Sequence, residues 1–577
     1  MRNRGFKLFY LIFSVLFLKP SIKIKDIPEQ IFRFIIGLFM SFLVFYIGAE
    51  DRSVSFIVAA LWLPAIVQFA FAAGEAGTSA GDKKKNSIAG IKILIAIVMI
   101  IVSIGYNILP YDVGGAKNLA KMVNVKESSE KLSKIDTAHV IVISPETAYY
   151  EMQKMLGSLP NPSAYKIGEL GVTKTKDGAC YVAPIEVDGL MRALTKDEIP
   201  GVMYVSAEAP SEAKIINVPS KISDSLLLNK DLKRYLRGYI ADAVLFQANA
   251  ELDDEGNPYY VGSYGHYKYG RKGQVVDGVL LYSFKDGKVT NYKVDKVPEW
   301  VDEVYPSDVA DKYNSYFGSL TKGLLNKLIA KDGVHVPTVW DQSTSVEGLK
   351  VNSKEVNGVI DADGKMKWFT DHTNTSSAST TMTGYSLMDM RTGAMVYYKT
   401  PGYINGKGAM NSVDKALGAN KSNWTPVQPI FYNMFGSEAW VVPVVNKTDG
   451  ALVKIAMVAA ENGYVVLEDS KDAAIESFKN AIAYGKLNDS TGKNANSTKA
   501  EEKNITGTVE RINSVSESGN TIFYVKLEGQ SNIFMVNKTA GVNIVLTKEK
   551  DQVEIKYLDI KDNTILSATV FKNNSIK

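Results

Sequence analysis

Asp363-Gly364-Lys365-Met366-Lys367-Trp368-Phe369 is a glycine turn running into an aromatic strand, and this 577-residue chain writes that phrase four times. The other copies are Asp177-Gly178-Ala179-Cys180-Tyr181-Val182, Asp254-Glu255-Gly256-Asn257-Pro258-Tyr259-Tyr260-Val261 and Phe435-Gly436-Ser437-Glu438-Ala439-Trp440-Val441-Val442. A second turn follows downstream: Asp286-Gly287 in copy two, Met390-Arg391-Thr392-Gly393 in copy three, Ala460-Glu461-Asn462-Gly463 in copy four. Glycine supplies the positive φ of tight hairpins, so folding alone accounts for these residues. Repetition at intervals near a hundred residues predicts tandem modules rather than one large domain.

Around each phrase the apolar period changes. Helical spacing predicts helices at 147–156, 223–247, 307–330 and 411–417, one ahead of each copy's turns, and at 471–484 after the last. Ser144-Pro145 supplies an N-cap and a first-turn proline for the first of these. Strand patterns run at 181–185, 203–206 and 214–218, then 259–264, 278–284 and 288–294, then 385–389 and 394–399, then 452–459 and 464–468. Residues 139–143 read as one more strand, and 111–134 as a polar linker. An isolated hairpin is marginal in water, whereas three or more strands covered by a helix are stable. Each unit is therefore expected to be a helix on about four antiparallel strands.

This pattern resembles the PepSY domain and its cystatin-like α+β relatives. The resemblance rests on the turn-plus-aromatic phrases and on two downstream strand pairs. These are Leu281-Tyr282-Ser283-Phe284-Lys285-Asp286-Gly287-Lys288-Val289-Thr290-Asn291-Tyr292 and Leu387-Met388-Asp389-Met390-Arg391-Thr392-Gly393-Ala394-Met395-Val396-Tyr397-Tyr398. It covers 136–486 and is clearest in copies two and three; copy four lacks the acidic residue at its first turn, and copy one is interrupted by the partly helical 187–200. The resemblance implies an extracytoplasmic, membrane-tethered protein that binds peptides or restrains peptidases. It brings no catalytic residues. The expected modules are 135–221, 222–304, 305–404 and 405–487.

The first 110 residues read as a membrane domain. Residues 31–49, 54–73 and 88–109 are almost wholly apolar and long enough to cross a ~30 Å hydrocarbon core. The run at 8–18 is about half that length and basic on both flanks, so it is expected to be an interfacial or re-entrant helix. Lys19, Lys23, Lys25 and Arg33 precede or open the first span, and Lys83, Lys84 and Lys85 join the second to the third. The positive-inside rule puts both basic segments in the cytoplasm and everything after Pro110 outside.

Beyond the modules, 488–504 is a polar linker, and 505–577 carries five strand candidates in the manner of a small OB-like barrel. Its Tyr524, Phe534, Tyr557 and Phe571 are expected to fill or flank the barrel core rather than stack bases. The fold class is thus α+β: transmembrane helices, tandem helix-plus-sheet modules, and a terminal barrel.

Charge narrows the partners. Residues 1–110 hold twelve Lys and Arg against six Asp and Glu; the rest holds 54 against 56. A near-neutral soluble part lacks the basic surface that phosphate backbones require, which argues against nucleic acid. HExxH, CxxC and GxxxxGK[ST] patterns do not occur. Gly77-Thr78-Ser79-Ala80-Gly81 matches GxSxG but lies between two membrane spans, not at a strand-to-helix turn. Cys180, alone of its kind, reads as a small buried hydrophobe, and His139, His266, His335 and His372 are too scattered to suggest zinc. No cofactor, metal or catalytic group is expected.

The candidate partner-binding residues are Tyr264, His266, Tyr267, Lys268, Tyr269, Arg271 and Lys272, expected at a projecting hairpin tip in copy two. The expected function is that of a non-enzymatic binding or scaffold protein on a bacterial cell membrane, with a lipid bilayer, a protein or an envelope polymer as partner, and homo-oligomers forming through the membrane helices. The alternatives are a structural component of a transfer or secretion apparatus, or a regulator of a membrane peptidase.

Overall fold

The apolar N-terminal runs form three helices long enough to cross a membrane, Ile27–Ile47, Val54–Ala76 and Ala89–Asn107. The computed structural model describes the chain apart from residues 1–4, 20–23, 79–82, 109–114, 241, 341–345, 347, 350–355, 377, 401, 484–500, 518–519, 537–539, 560–564 and 577. Most of the linker expected at 488–504, and the centre of the GxSxG string, lie outside the described residues.

The short helix Gly5–Val15 packs lengthwise and antiparallel on the helix Ile27–Phe42. Ser14 and Ser41 hydroxyls meet at 3.1 Å, and Phe9 packs edge-on to Phe45. Gly37 makes this possible: a Cβ there would sit 2.7 Å from the Ser14 carbonyl oxygen. Gly37 and Ser41 are the small-xxx-small pair that lets membrane helices approach. At the far end, Arg33 donates to Glu29 and to Gln68, and Gln68 in turn donates to the Phe17 and Leu18 carbonyls that end the short helix.

Four sheets follow, one around each repeated phrase, and each phrase is the hairpin between its sheet's first and second main strands. Copy two is a simple antiparallel meander: Val244–Leu252, Pro258–Tyr269, Lys272–Ser283, Val289–Lys293. The other three copies repeat it with one addition, a short strand that pairs with the far end of the second main strand. That strand is Tyr165–Ile167 in copy one, Val336–Pro337 in copy three and Trp424–Pro426 in copy four. In copy two the two pieces are fused into Val244–Leu252, with a register shift between Leu245 and Gln247 where the others break.

A helix precedes each sheet. Pro145–Leu156 is capped by Ser144 as expected, Gly406–Leu417 by Asn405, and Leu232–Arg237 by Asp231; such caps are worth ~1 kcal/mol. Ser307–Leu320 opens copy three. The long helix expected at 223–247 is absent. Glu186 draws Ser223 and Ser225 into side-chain hydrogen bonds, Leu228 takes a left-handed φ of 56°, and only six residues coil before Gly238. The distant Glu186, with the Ser225 N–H also donating to the Ser223 hydroxyl, here outcompetes helix. Nor is 139–143 a strand: Val140, Ile141, Val142 and Ile143 are buried, but their N–H groups reach the Tyr432 hydroxyl and the Ala207 carbonyl instead of a ladder. The expected linker 111–134 contains a helix, Gly115–Met122, and a strand, Val125–Ser128, which adds in parallel to the copy-three edge.

The copies do not form an open row. Copy four returns to copy one: Thr147 donates to the Gly450 carbonyl, and Lys471 donates to the carbonyls of Ala138, Val140 and Glu208. Copies two and three are joined by Arg391 of the second turn, which donates to the Val297, Pro298, Glu299 and Val301 carbonyls. All four meet around a cavity of about 50 Å³ lined by Tyr181, Glu303, Asn357 and Gln428 among others. Gln428 bridges there from copy four to the Tyr181 hydroxyl and the Asn357 carbonyl, each at 3.2 Å.

In the C-terminal region the strands Glu501–Glu517, Asn520–Leu527, Ile533–Val536, Gln552–Asp559 and Ile565–Asn573 pair in the order first, second, third, fifth, fourth, with the fourth pairing back to the first. Phe534 and Phe571 fill the interior.

Three carboxylates hold the joint between copies one, two and three. Glu251 accepts the backbone N–H groups of Asp302 and Glu303. Asp302 accepts from Thr173 and from the Lys174 N–H, and Glu303 from Asn249 and the Ser307 N–H. Burial raises all three above the ordinary carboxylate range, Glu303 to about 8. A raised folded-state value means that the native state holds protons which the unfolded chain has already released. Stability therefore falls as pH climbs from about 4 toward 8. The full chain in detergent should unfold at a higher temperature at pH 5 than at pH 8, a difference on the order of a few kcal/mol. Glu303→Gln should flatten that slope whatever its offset at pH 5; an unchanged slope would show that Glu303 is ionised in the native state.

Candidate functional site

Copy two meets the membrane helices through three arginines. Its helix Leu232–Arg237 is short and basic, and points its cations at the loop after the first span. Arg234 donates to the Tyr46 and Ile47 carbonyls and stacks over the Tyr46 ring at 4.9 Å. Lys233 donates to the Gly48 carbonyl and Arg237 to those of Ala243 and Glu50. These loop carbonyls end a helix, where orphan acceptors and the negative dipole end favour cations. Arg237 is so deeply buried that desolvation lowers it to about 10 despite the nearby Asp51.

The hairpin tip forms the other half of this collar. Arg271 pairs with Asp51, whose side chain is almost wholly buried, and lies over the rings of Phe56 and Tyr267 at 5.3 and 4.6 Å. Ser55 donates to the Gly270 carbonyl at 2.6 Å. The tip expected to project free is thus docked on the chain's own loop. Tyr264 is in the core of copy two, its hydroxyl donating to Asn291 at 2.7 Å. Tyr267 and Tyr269 are half-buried, and Lys272 is partly covered beside Gly273, which packs on Met122 and Leu119. His266, paired with Asp277 at 2.8 Å, and Lys268 face solvent. Sequence alone marked the tip by its aromatic and basic residues; nothing in it said that their partner was the loop 48–56.

Copy three holds a second feature, one the spacing of histidines concealed. The His335 and His372 Nδ1 atoms lie 2.9 Å apart. Asn314 settles who donates. Its Nδ2 faces the Ala310 carbonyl at 2.9 Å, which can only accept, so Oδ1 must face Ser386 and His372. His372 therefore carries its proton on Nε2 and accepts at Nδ1. His335 must then donate from Nδ1, which leaves its Nε2 as a bare lone pair. Burial keeps both rings neutral, lowering His335 to about 4 and His372 further. His335 stacks on Tyr397 with ring centroids 4.8 Å apart, meets Phe317 edge-on, and lines a cleft of about 500 Å³. The ion pairs Glu127–Lys399 and Lys322–Asp332 stand at its rim.

Chemistry elsewhere is limited. Among the described residues no three His, Cys, Asp or Glu converge as a metal site. The Cys180 thiol is pushed by burial up to about 12, which leaves it unreactive. His139 pairs with Glu208 at the copy-one turn. No protein-family model matches the chain, and no curated protein matches it closely enough to carry an argument.

Two outcomes follow from these contacts. Arg271→Ala removes the guanidinium paired with the buried Asp51, leaving that carboxylate the Ser53 N–H and hydroxyl and the nearby Arg237, and should cost about 3 kcal/mol. Combined with Asp51→Asn it should recover much of that loss, giving a coupling of about 2 kcal/mol in a double-mutant cycle of detergent-solubilised full chain; simple additivity would mean that the two side chains do not meet. Separately, ¹⁵N spectra of histidine-labelled protein should show His335 and His372 resonances that stay fixed between pH 5 and 8. Titration of either in that range would break the tautomer chain through Asn314.

Proposed function

We propose that this chain is a multi-pass membrane protein of a bacterial cell envelope whose large C-terminal region stands on the extracytoplasmic side as a non-catalytic binding or scaffold platform. One observation carries the reading: the collar. A ligand trap or tethered enzyme works from a slack linker. Here Arg234, Arg237 and Arg271 fix the orientation of copy two on the loop after the first span. Fixed orientation matters when a second object must be met at a set height and angle above the membrane. The platform's partner is a protein or envelope polymer, and it has a cleft lined by His335, Phe317 and Tyr397.

A helix followed by a four-strand meander, repeated four times, supports kinship with PepSY-like modules. The strand order first, second, third, fifth, fourth, with third and fifth parallel, supports an OB-like reading of the terminal barrel. The same collar suits a component of a transfer or secretion apparatus, in which neighbouring copies associate through their membrane helices. A regulator of a membrane peptidase is a further case of the same platform.

Placement is tested on whole cells. Cys180 is buried, so a cysteine put at the exposed Ser422 gives the signal. A membrane-impermeant maleimide should label Ser422→Cys on intact cells as fully as after lysis. Labelling only after lysis would put the platform in the cytoplasm and end the proposal.

A further inference from the structure

The short helix Leu190–Thr195 does the opposite of what a surface helix should. It turns Leu190, Met191 and Leu194 outward, 67%, 73% and 59% exposed, in a protein that buries its other copy-one apolar residues well. Leu228 is also outward, 56% exposed, and is held so by a left-handed φ that non-glycine residues seldom adopt. Strain that keeps an apolar side chain in the open calls for a partner.

Position names the partner. Asp197, just after the helix, pairs with Lys230. Lys230 follows Asn229, whose side chain accepts from the Tyr46 hydroxyl at 3.3 Å. Tyr46 lies at the end of the first span, beside Phe42, Leu43 and Ile47, which are turned outward on the bundle. The outward apolar residues of copy one and of the Leu228 turn therefore continue the lipid-facing belt of the helices. We propose that Leu190, Met191, Leu194 and Leu228 form a wedge that enters the bilayer leaflet on the side of the soluble region. Arg192, between Met191 and Leu194, and Lys196, just after the helix, then lie at phosphate level. Interfacial segments of this kind seat their apolar face ~5–10 Å into the headgroup and acyl boundary.

The wedge gives copy one a hold on the membrane beside the arginine collar of copy two, to which its Leu228 is tied by the Arg234 donation to the Leu228 carbonyl. Two such holds fix tilt as well as height, which deepens the platform reading and rests on the three helices spanning the bilayer.

The test uses full-length protein in nanodiscs of phosphatidylcholine and phosphatidylglycerol. Nitroxide labels are placed singly by Met191→Cys, Ser422→Cys and Ile35→Cys. Each label's collision rate is measured with oxygen, which concentrates in lipid, and with a nickel chelate, which stays in water. Met191→Cys should resemble Ile35→Cys on the outward face of the first span, with an oxygen-to-nickel ratio several-fold above that of Ser422→Cys. A water-like label at 191 with a lipid-like label at 35 overturns the wedge and leaves the anchor standing. A water-like label at 35 overturns the anchor itself. A label at 191 shielded from both reagents means contact with a second copy of the chain, and also overturns the wedge.

Discussion

Buried polar groups must be hydrogen-bonded, and in this protein the copies bond one another. A single helix-on-sheet unit of this size has enough apolar area for one face only. The other face and its edges must be covered. Glu251 closes on the N–H groups that lead into copy three, and Asp302 reaches across to copy one. Asp371 of copy three accepts from the Gly406 N–H that opens the helix of copy four, and is raised by burial to about 6. Lys471 returns from the end of copy four to copy one. Each of these polar joints is made between copies, beside apolar contacts such as Phe369 of copy three on Phe431 and Trp440 of copy four. That is why the four sheets form a closed group around Tyr181, Asn357 and Gln428 instead of an open solenoid, in which each repeat touches only its neighbours.

Much of the architecture was legible because its signals are local. Glycine turns, alternating strands and Ser144-Pro145 speak through neighbouring residues, and the spans speak through length and apolarity. The failures share a cause. The stretch 223–247 has helical spacing at Leu232, Leu236 and Ile240, yet Glu186, some forty residues upstream, captures its serines. Residues 140–143 look like a strand because they are buried and extended, but their partners are Tyr432 and Ala207. Sequence shows that a residue wants burial; it does not show against what.

The same limit applies to the sites. His335 and His372 stand 37 positions apart and read as scattered in sequence, since a pair becomes visible only when two adjacent elements register. The tip of copy two stands out in sequence by its aromatic and basic residues, and part of it packs within the chain. Tyr267 and Arg271 are contact residues, but they contact the loop after the first span.

The copies differ at their tips, insertions and edges. Copy two fuses two strand pieces into Val244–Leu252, and its long hairpin of Pro258–Tyr269 and Lys272–Ser283 reaches the loop after the first span. Copy one inserts the outward-facing helix Leu190–Thr195 between its second and third main strands. Copy three gains a parallel edge strand from the chain leaving the last span, and the cleft beside His335 opens next to that strand at Glu127. Copy four serves as the closing piece, through Gly450 and Lys471. A repeat explains how the chain can afford such differences: the shared turns and meanders secure the fold, so insertions at hairpin tips and edges cost little. The repeated phrase with which the pattern announces itself is therefore the part least able to distinguish one copy from another, and the departures from it include the contact with the loop after the first span and the cleft beside His335.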